Sequence, residues 1–124
     1  MILLITIIVV MVAIGLFRFF RNKANFTTLS EEDFIKGYRK AQLIDVREPN
    51  EFDGGHILGA RNIPVTQLKE RLVEIRQDKP VYLYCQGSAR ASRAANMLHK
   101  RGYEQISVLD GGFKKWTGKI KAKN

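Results

Sequence analysis

Residues 81–92 constrain this chain more than any other stretch. An apolar run, Val81-Tyr82-Leu83-Tyr84, stops at Cys85. The loop Gln86-Gly87-Ser88 follows, and a helix-like pattern with small residues opens at Ala89. A short run without polar alternation reads as a strand buried on both faces, and such strands belong to sheets covered by helices. Cys85 is the only cysteine, so no internal disulfide can form. It is either an inert buried thiol or a reactive one in a reducing compartment.

The flanking sequence repeats the strand–helix alternation. Ala24-Asn25-Phe26-Thr27-Thr28 reads as a linker or short first strand. Ser30 followed by Glu31-Glu32-Asp33 reads as a capped helix start, with Phe34, Ile35 and Tyr38 as its buried face and Gly37 near its end. Residues 41–46 read as a buried strand, Pro49 as the start of one helical turn, and Ala60-Arg61-Asn62-Ile63 as a strand stopped by Pro64. Leu68, Leu72 and Ile75, with Val73 beside them, predict an amphipathic helix over 66–77. A helix over 89–101 closes at Gly102. Residues 105–109 form the last predicted strand, and Gly111-Gly112 turns into a short helix bearing Phe113 and Trp116. The expectation is an α/β three-layer domain with a mostly parallel central sheet of four to five strands. In such sheets sites lie at the carboxyl ends of strands, where Asp45 and Cys85 both stand.

The N-terminus is a separate matter. Residues 1–17 carry no charged side chain, and fourteen of the first twenty residues are Ile, Leu, Val or Phe. At the bilayer centre these favour insertion by about 4–8 kcal/mol. Twenty residues make a helix of roughly 30 Å, long enough to span. A cleaved signal peptide would need a basic segment before the apolar run and a small-x-small site after it. No charged side chain precedes the run, and Phe17-Arg18-Phe19-Phe20-Arg21-Asn22-Lys23 offers no such site. The expected organisation is an anchor over 1–20, a basic linker over 21–25, a domain over 26–118 and a basic tail over 119–124. Arg18, Arg21 and Lys23 follow the span, so the positive-inside rule places the N-terminus outside and the domain in the cytoplasm of a single-pass cell-membrane protein. A reduced cysteine fits that side.

A cysteine attacks as its thiolate, and local structure must stabilise that charge. The sequence around Cys85 offers three means. A helix starting near Ala89 directs free N–H groups and its dipole toward the sulfur. Gly87, Ser88 and Ala89 are small enough for consecutive N–H groups to converge on an anion. Arg90 adds a fixed positive charge. Such a cradle would also bind an anionic substrate.

The surrounding motifs resemble those of rhodanese-like sulfurtransferase domains. Asp45-Val46-Arg47, Glu51-Phe52 and Gly55-His56-Ile57-Leu58-Gly59-Ala60-Arg61-Asn62-Ile63-Pro64 are similar to the first family signature. Val108-Leu109-Asp110-Gly111-Gly112-Phe113-Lys114-Lys115-Trp116 is similar to the second, and the cysteine loop lies between them. The resemblance implies a catalytic Cys85 that takes sulfane sulfur from thiosulfate or another persulfide donor and passes it to a thiol or cyanide. It implies that Gln86, Gly87, Ser88, Ala89 and Arg90 bind the donor, with Asp45 and Arg47 supporting the loop. It implies no cofactor and no metal. His56 reads as a turn-stabilising residue in preference to a base, and Trp116 as core. Four residues separate Cys85 from Arg90; related phosphatases and arsenate reductases have five, so the spacing resembles the sulfurtransferases. Ser88 stands where the family often has glycine, which requires a negative φ there. The alternative is a catalytically weak docking or regulatory module at the membrane.

The formal net charge is +9. The expected partners are a small anionic sulfur donor, a small-molecule or protein thiol acceptor, and the membrane through the N-terminal helix. Lys114, Lys115, Lys119, Lys121 and Lys123 read as a solvated, frayed end, or else as a contact for an anionic leaflet worth about 1 kcal/mol per residue. Nucleic acid is not expected as a partner, for the basic residues are not interleaved with aromatics and no phosphate loop is present.

Overall fold

In the computed structural model, which describes residues 1–21 and 25–122, five short strands lie parallel in one sheet. They are β1 (Thr27–Leu29), β2 (Gln42–Asp45), β4 (Arg61–Asn62), β5 (Val81–Tyr84) and β6 (Ile106–Leu109), in the order β1-β6-β5-β2-β4. A separate antiparallel pair joins β3 (His56–Ile57) to β7 (Ile120–Lys121). The helices are α1 (Ile2–Arg21), α2 (Glu31–Gly37), α3 (Pro49–Gly54) and α4 (Ala89–Lys100). The fold is therefore α/β, with the parallel sheet between two layers.

Strand alternation divides the core. Val81, Leu83 and Cys85 face one cluster, with Ile44, Val46, Val108 and the small face of α4, Ala91, Ala94 and Ala95. Tyr84 faces the other cluster, with Phe34, Tyr38, Leu43, Ile57 and Leu109, and Tyr82 packs against that cluster. The alanines let α4 lie close on the sheet, as their spacing predicts. Gly102, at φ 97°, ends α4 with its N–H on the His99 carbonyl, and the Tyr103 N–H reaches Leu98. Those two bonds satisfy carbonyls that the helix end leaves open. Ser30 caps α2 as expected, its hydroxyl accepting the Asp33 N–H at 3.2 Å.

Three local expectations are corrected. Residues 65–74 form 3₁₀ turns broken at Arg71 (φ −115°, ψ 20°), where an α-helix is predicted. Val65 and Leu68, both buried, are three residues apart and suit three residues per turn. Val73 falls on the outer side and is 94% exposed. Ile35 is exposed too, because two-turn α2 buries only the side carrying Phe34. The C-terminal tail is not frayed over Ile120–Lys121, which pair with His56–Ile57 while the Leu58 N–H donates to the Lys119 carbonyl at 3.1 Å. Linker residues 22–24, including the basic Lys23, and tail residues 123–124, including Lys123, lie outside the described residues.

The first helix, α1, is long and apolar enough from Ile2 to Phe19 to cross a membrane, and none of that window is buried within the chain.

Candidate active site

Asp45 pairs in register with Tyr84, so β2 and β5 end side by side. The Val46 N–H donates to the Tyr84 carbonyl at 3.0 Å and extends the pairing past both strands. From β2 the chain moves to β4 on one side of the sheet, and from β5 to β6 on the other. That divergence makes this carboxyl edge a topological switch point, where parallel sheets place ligands.

Cys85 lies at this edge and is 1% exposed. Alternation along β5 turns its side chain toward α4, and the Ala91 N–H donates to Sγ at 3.3 Å. The first N–H groups of a helix have no intrahelical acceptor, so this bond and the dipole of a twelve-residue helix both favour negative charge on the sulfur. Ala91 lies one residue beyond the five donor-binding positions expected from the sequence. Ser88 occupies the N-cap position with φ −140°, and its carbonyl accepts the Ser92 N–H at 2.9 Å. The serine-for-glycine departure thus costs no backbone strain.

The loop is held from below by the second signature. The Phe113 N–H donates to the Cys85 carbonyl at 2.8 Å and the Lys114 N–H to the Gln86 carbonyl at 3.0 Å. Gly112, at φ 61°, makes this approach possible: a Cβ there would collide with the carbonyl oxygens of Cys85, Gln86 and Gly87. The Gly-Gly turn is visible in the sequence, but its partner is not.

Asp45 and Arg47 form a buried pair under the loop. The Asp45 carboxylate accepts from Arg47 Nε at 3.0 Å, Nη2 at 2.7 Å and the Arg47 backbone N–H at 2.9 Å. Arg47 Nη2 also donates to the Gly55 carbonyl at 2.6 Å, and Nη1 to Gln86 Oε1 at 3.1 Å. Burial opposes the guanidinium's charge, but the hydrogen bonds and charge of Asp45 outweigh it, and the Arg47 pKa is raised. The Arg47 guanidinium lies 4.4 Å from the Phe113 ring centroid. Asn62 Nδ2 donates to the carbonyls of Asp45 and Arg47 at 3.0 and 2.9 Å, fixing the strand end. The Tyr84 hydroxyl accepts the Ile57 N–H at 3.0 Å; burial first, and the nearby Asp45 second, push its pKa far up.

Arg90 is not an open donor fork. Its Nη1 and Nη2 donate to the two carboxylate oxygens of Glu51 at 2.6 and 2.9 Å. The Arg90 bond holds the Glu51 carboxyl down at a pKa of about 2. In the sequence Glu51 stands out only as part of the first signature. The usable signal was its position three residues after Glu48, where it completes a capping box around Pro49. His56 is a structural residue: Nδ1 is 2.8 Å from the Phe52 carbonyl, and its ring stacks on Phe52 at 3.6 Å. The carbonyl only accepts, so Nδ1 carries the proton. Trp116 packs edge-on against Phe34 and Tyr38, as expected of a core residue.

Residues 30–119 match the family model of the rhodanese-like domain. The chain is 73% identical over 96 residues to the uncharacterized protein YqhL of Bacillus subtilis, covering 77% of this chain and 76% of that one. It is 34% identical over 100 residues to a putative mitochondrial thiosulfate sulfurtransferase of Schizosaccharomyces pombe, covering 70% of each. Among solved structures, a rhodanese-related protein from Thermoplasma volcanium superposes with a TM-score of 0.73 at 25% identity, covering 79% of this chain and 100% of that one. Some curated relatives are longer, and the chain spans 55% and 41% of two of them. With the family match over most of its length, the parallel sheet and the cysteine loop at the sheet's carboxyl edge, this chain belongs to the rhodanese-like domain family.

Proposed function

We propose that this chain is a single-domain sulfurtransferase tethered to a membrane by α1, and that Cys85 carries the sulfur as a persulfide. The supporting observation is the Cys85 sulfur itself, set at the carboxyl edge of the sheet and receiving the Ala91 N–H from the start of α4. With thiosulfate, the Cys85 thiolate attacks the outer sulfur. A new S–S bond forms, the S–S bond of the donor breaks, and its electron pair leaves with sulfite. The Cys85–S–S⁻ anion remains on the enzyme, stabilised by helix-start N–H groups. Cyanide or a thiolate then attacks the outer sulfur, forming thiocyanate or a new persulfide and returning the Cys85 thiolate. Attack by the thiolate leaves no proton for a general base to take, in keeping with the structural role of His56. Gln86, Gly87, Ser88, Ala89 and Arg90 line the donor site in this reading, and Asp45 with Arg47 supports the loop. The domain lies on the cytoplasmic side.

A second reading, a docking or regulatory module, is favoured by the burial of Cys85 and the engagement of Arg90 by Glu51. Intact-mass measurement on the detergent-solubilised full chain separates the two. After incubation with a sulfane donor, the parent gains one sulfur atom that a thiol removes, and Cys85→Ser gains none. A parent that gains none, or a variant that gains the same, overturns sulfur transfer in favour of docking.

A further inference from the structure

We infer that Glu51 sets the class of sulfur donor, turning the Cys85 site away from dianionic donors such as thiosulfate and toward persulfides of lower charge. This rests on sulfur transfer through Cys85. Two guanidinium groups approach the cysteine loop, and each is already matched to a carboxylate. Arg47 is bound to Asp45 beneath the loop, with one remaining nitrogen on Gln86. Arg90 is bound through two nitrogens to both oxygens of Glu51. The charges of the four side chains cancel. What remains to favour an anion at the sulfur is backbone, the Ala91 N–H and the start of α4. A helix terminus acts as roughly half a unit charge, which suits one thiolate or one persulfide anion.

Thiosulfate brings two negative charges and departs as sulfite with two. To use Arg90 it must displace Glu51 or lie beside a carboxylate left without its partner, and like charges in contact are costly. A persulfide brings at most one negative charge to the reacting sulfurs, and its protonated form R–S–SH presents a neutral outer sulfur. The Cys85 thiolate attacks it, the donor's S–S bond breaks, and the electron pair departs with R–S⁻, giving Cys85–S–SH. In that form only one negative charge takes part in the step, and loss of the proton from Cys85–S–SH then gives the persulfide anion.

Glu51 is held in place independently of Arg90. It sits in the first turn of α3, where its Oε1 accepts the Glu48 N–H at 3.2 Å. Its charge persists at every pH near neutrality, because the Arg90 bond holds its pKa at about 2. The Glu51–Arg90 pair is about one-third exposed, so a ligand can reach it from solvent. Lys114 and Lys115 are exposed beyond the loop and attract all anions alike.

The test compares kcat/KM for thiosulfate and for cysteine persulfide, with cyanide as acceptor, on the full chain in detergent. The parent, Glu51→Gln and Glu51→Asp are measured. The ratio of the two donors on one preparation is independent of how much enzyme is folded. Glutamine keeps an acceptor for the Glu48 N–H but frees the charge of Arg90. The expected result is a parent that prefers the persulfide, and a Glu51→Gln ratio shifted toward thiosulfate by about tenfold. Glu51→Asp, which keeps the charge, stays within about threefold of the parent ratio. Parallel changes for both donors in Glu51→Gln, or an equal shift in Glu51→Asp, overturn the role of Glu51 while leaving Cys85 chemistry standing. If no donor loads Cys85 in any of the three proteins, sulfur transfer itself fails and this inference with it.

Discussion

Gly112 has no side chain, yet the cysteine loop rests on it. Its φ of 61° is unfavourable for other residues, and a Cβ would meet three loop carbonyls at once. Gly112→Ala is expected to cost at least about 2 kcal/mol in urea unfolding and to lower sulfur loading of Cys85 beyond what that loss explains. Loading at the parental rate would show that the loop does not depend on this contact. Cys85 and Arg90 stand out in the sequence by their spacing before a helix start, and Asp45 and Arg47 through the resemblance of their motif to the family signature. Glu51, Gly112 and the Ala91 N–H were not legible there as parts of the site. Their roles come from partners on other elements or from a backbone group, and periodicity says nothing of either. Ile35 and Val73 illustrate a second limit: an apolar residue near a buried face need not lie on it.

At the scale of elements, the Glu51–Arg90 pair ties α3 to α4 across the loop. Glu51 has a folded pKa of about 2 against an ordinary 4.5, because of the Arg90 bond foremost. A carboxyl lowered on folding adds stability above its unfolded value and loses it as pH falls through its folded value. The pair's contribution is therefore complete above about pH 5 and fades between about pH 4.5 and 2. Solvent screening limits it to about 1 kcal/mol. Urea midpoints measured from pH 7 to 2 should fall less steeply in Glu51→Gln than in the parent, and identical slopes would show that the pair adds nothing. The elements themselves were mostly legible. Strands β2, β5 and β6 and helix α4 stand within a residue or two of their expected bounds, because buried runs and an alanine-rich stripe are strong local patterns. The 3₁₀ turns over Val65–Glu74 were not, since the three-residue spacing of Val65 and Leu68 lies close to a helical one. Nor was β7, a two-residue strand among lysines, which exists because β3 offers it an edge.

At the scale of the molecule, an apolar helix with no charged side chain from Ile2 to Phe17 precedes a basic α/β domain. The proposed orientation predicts that protease added to intact spheroplasts leaves the domain whole, and that lysis exposes it. Cleavage in intact spheroplasts would place the domain outside. Val10→Arg, at the middle of α1, should weaken insertion by about 2.5–3.5 kcal/mol and release part of the chain from the membrane fraction. The sequence by itself determined the apolar span, the α/β alternation, the lone cysteine before a helix start and the family, because these are patterns of neighbours along the chain. Only the tertiary structure decided the order of the strands, the pairing of β3 with β7, the seating of the cysteine loop on Gly112 and the capture of Arg90 by Glu51. Each of those joins residues distant in sequence, and burial and charge select such partners only after the sheet has brought its carboxyl edges together.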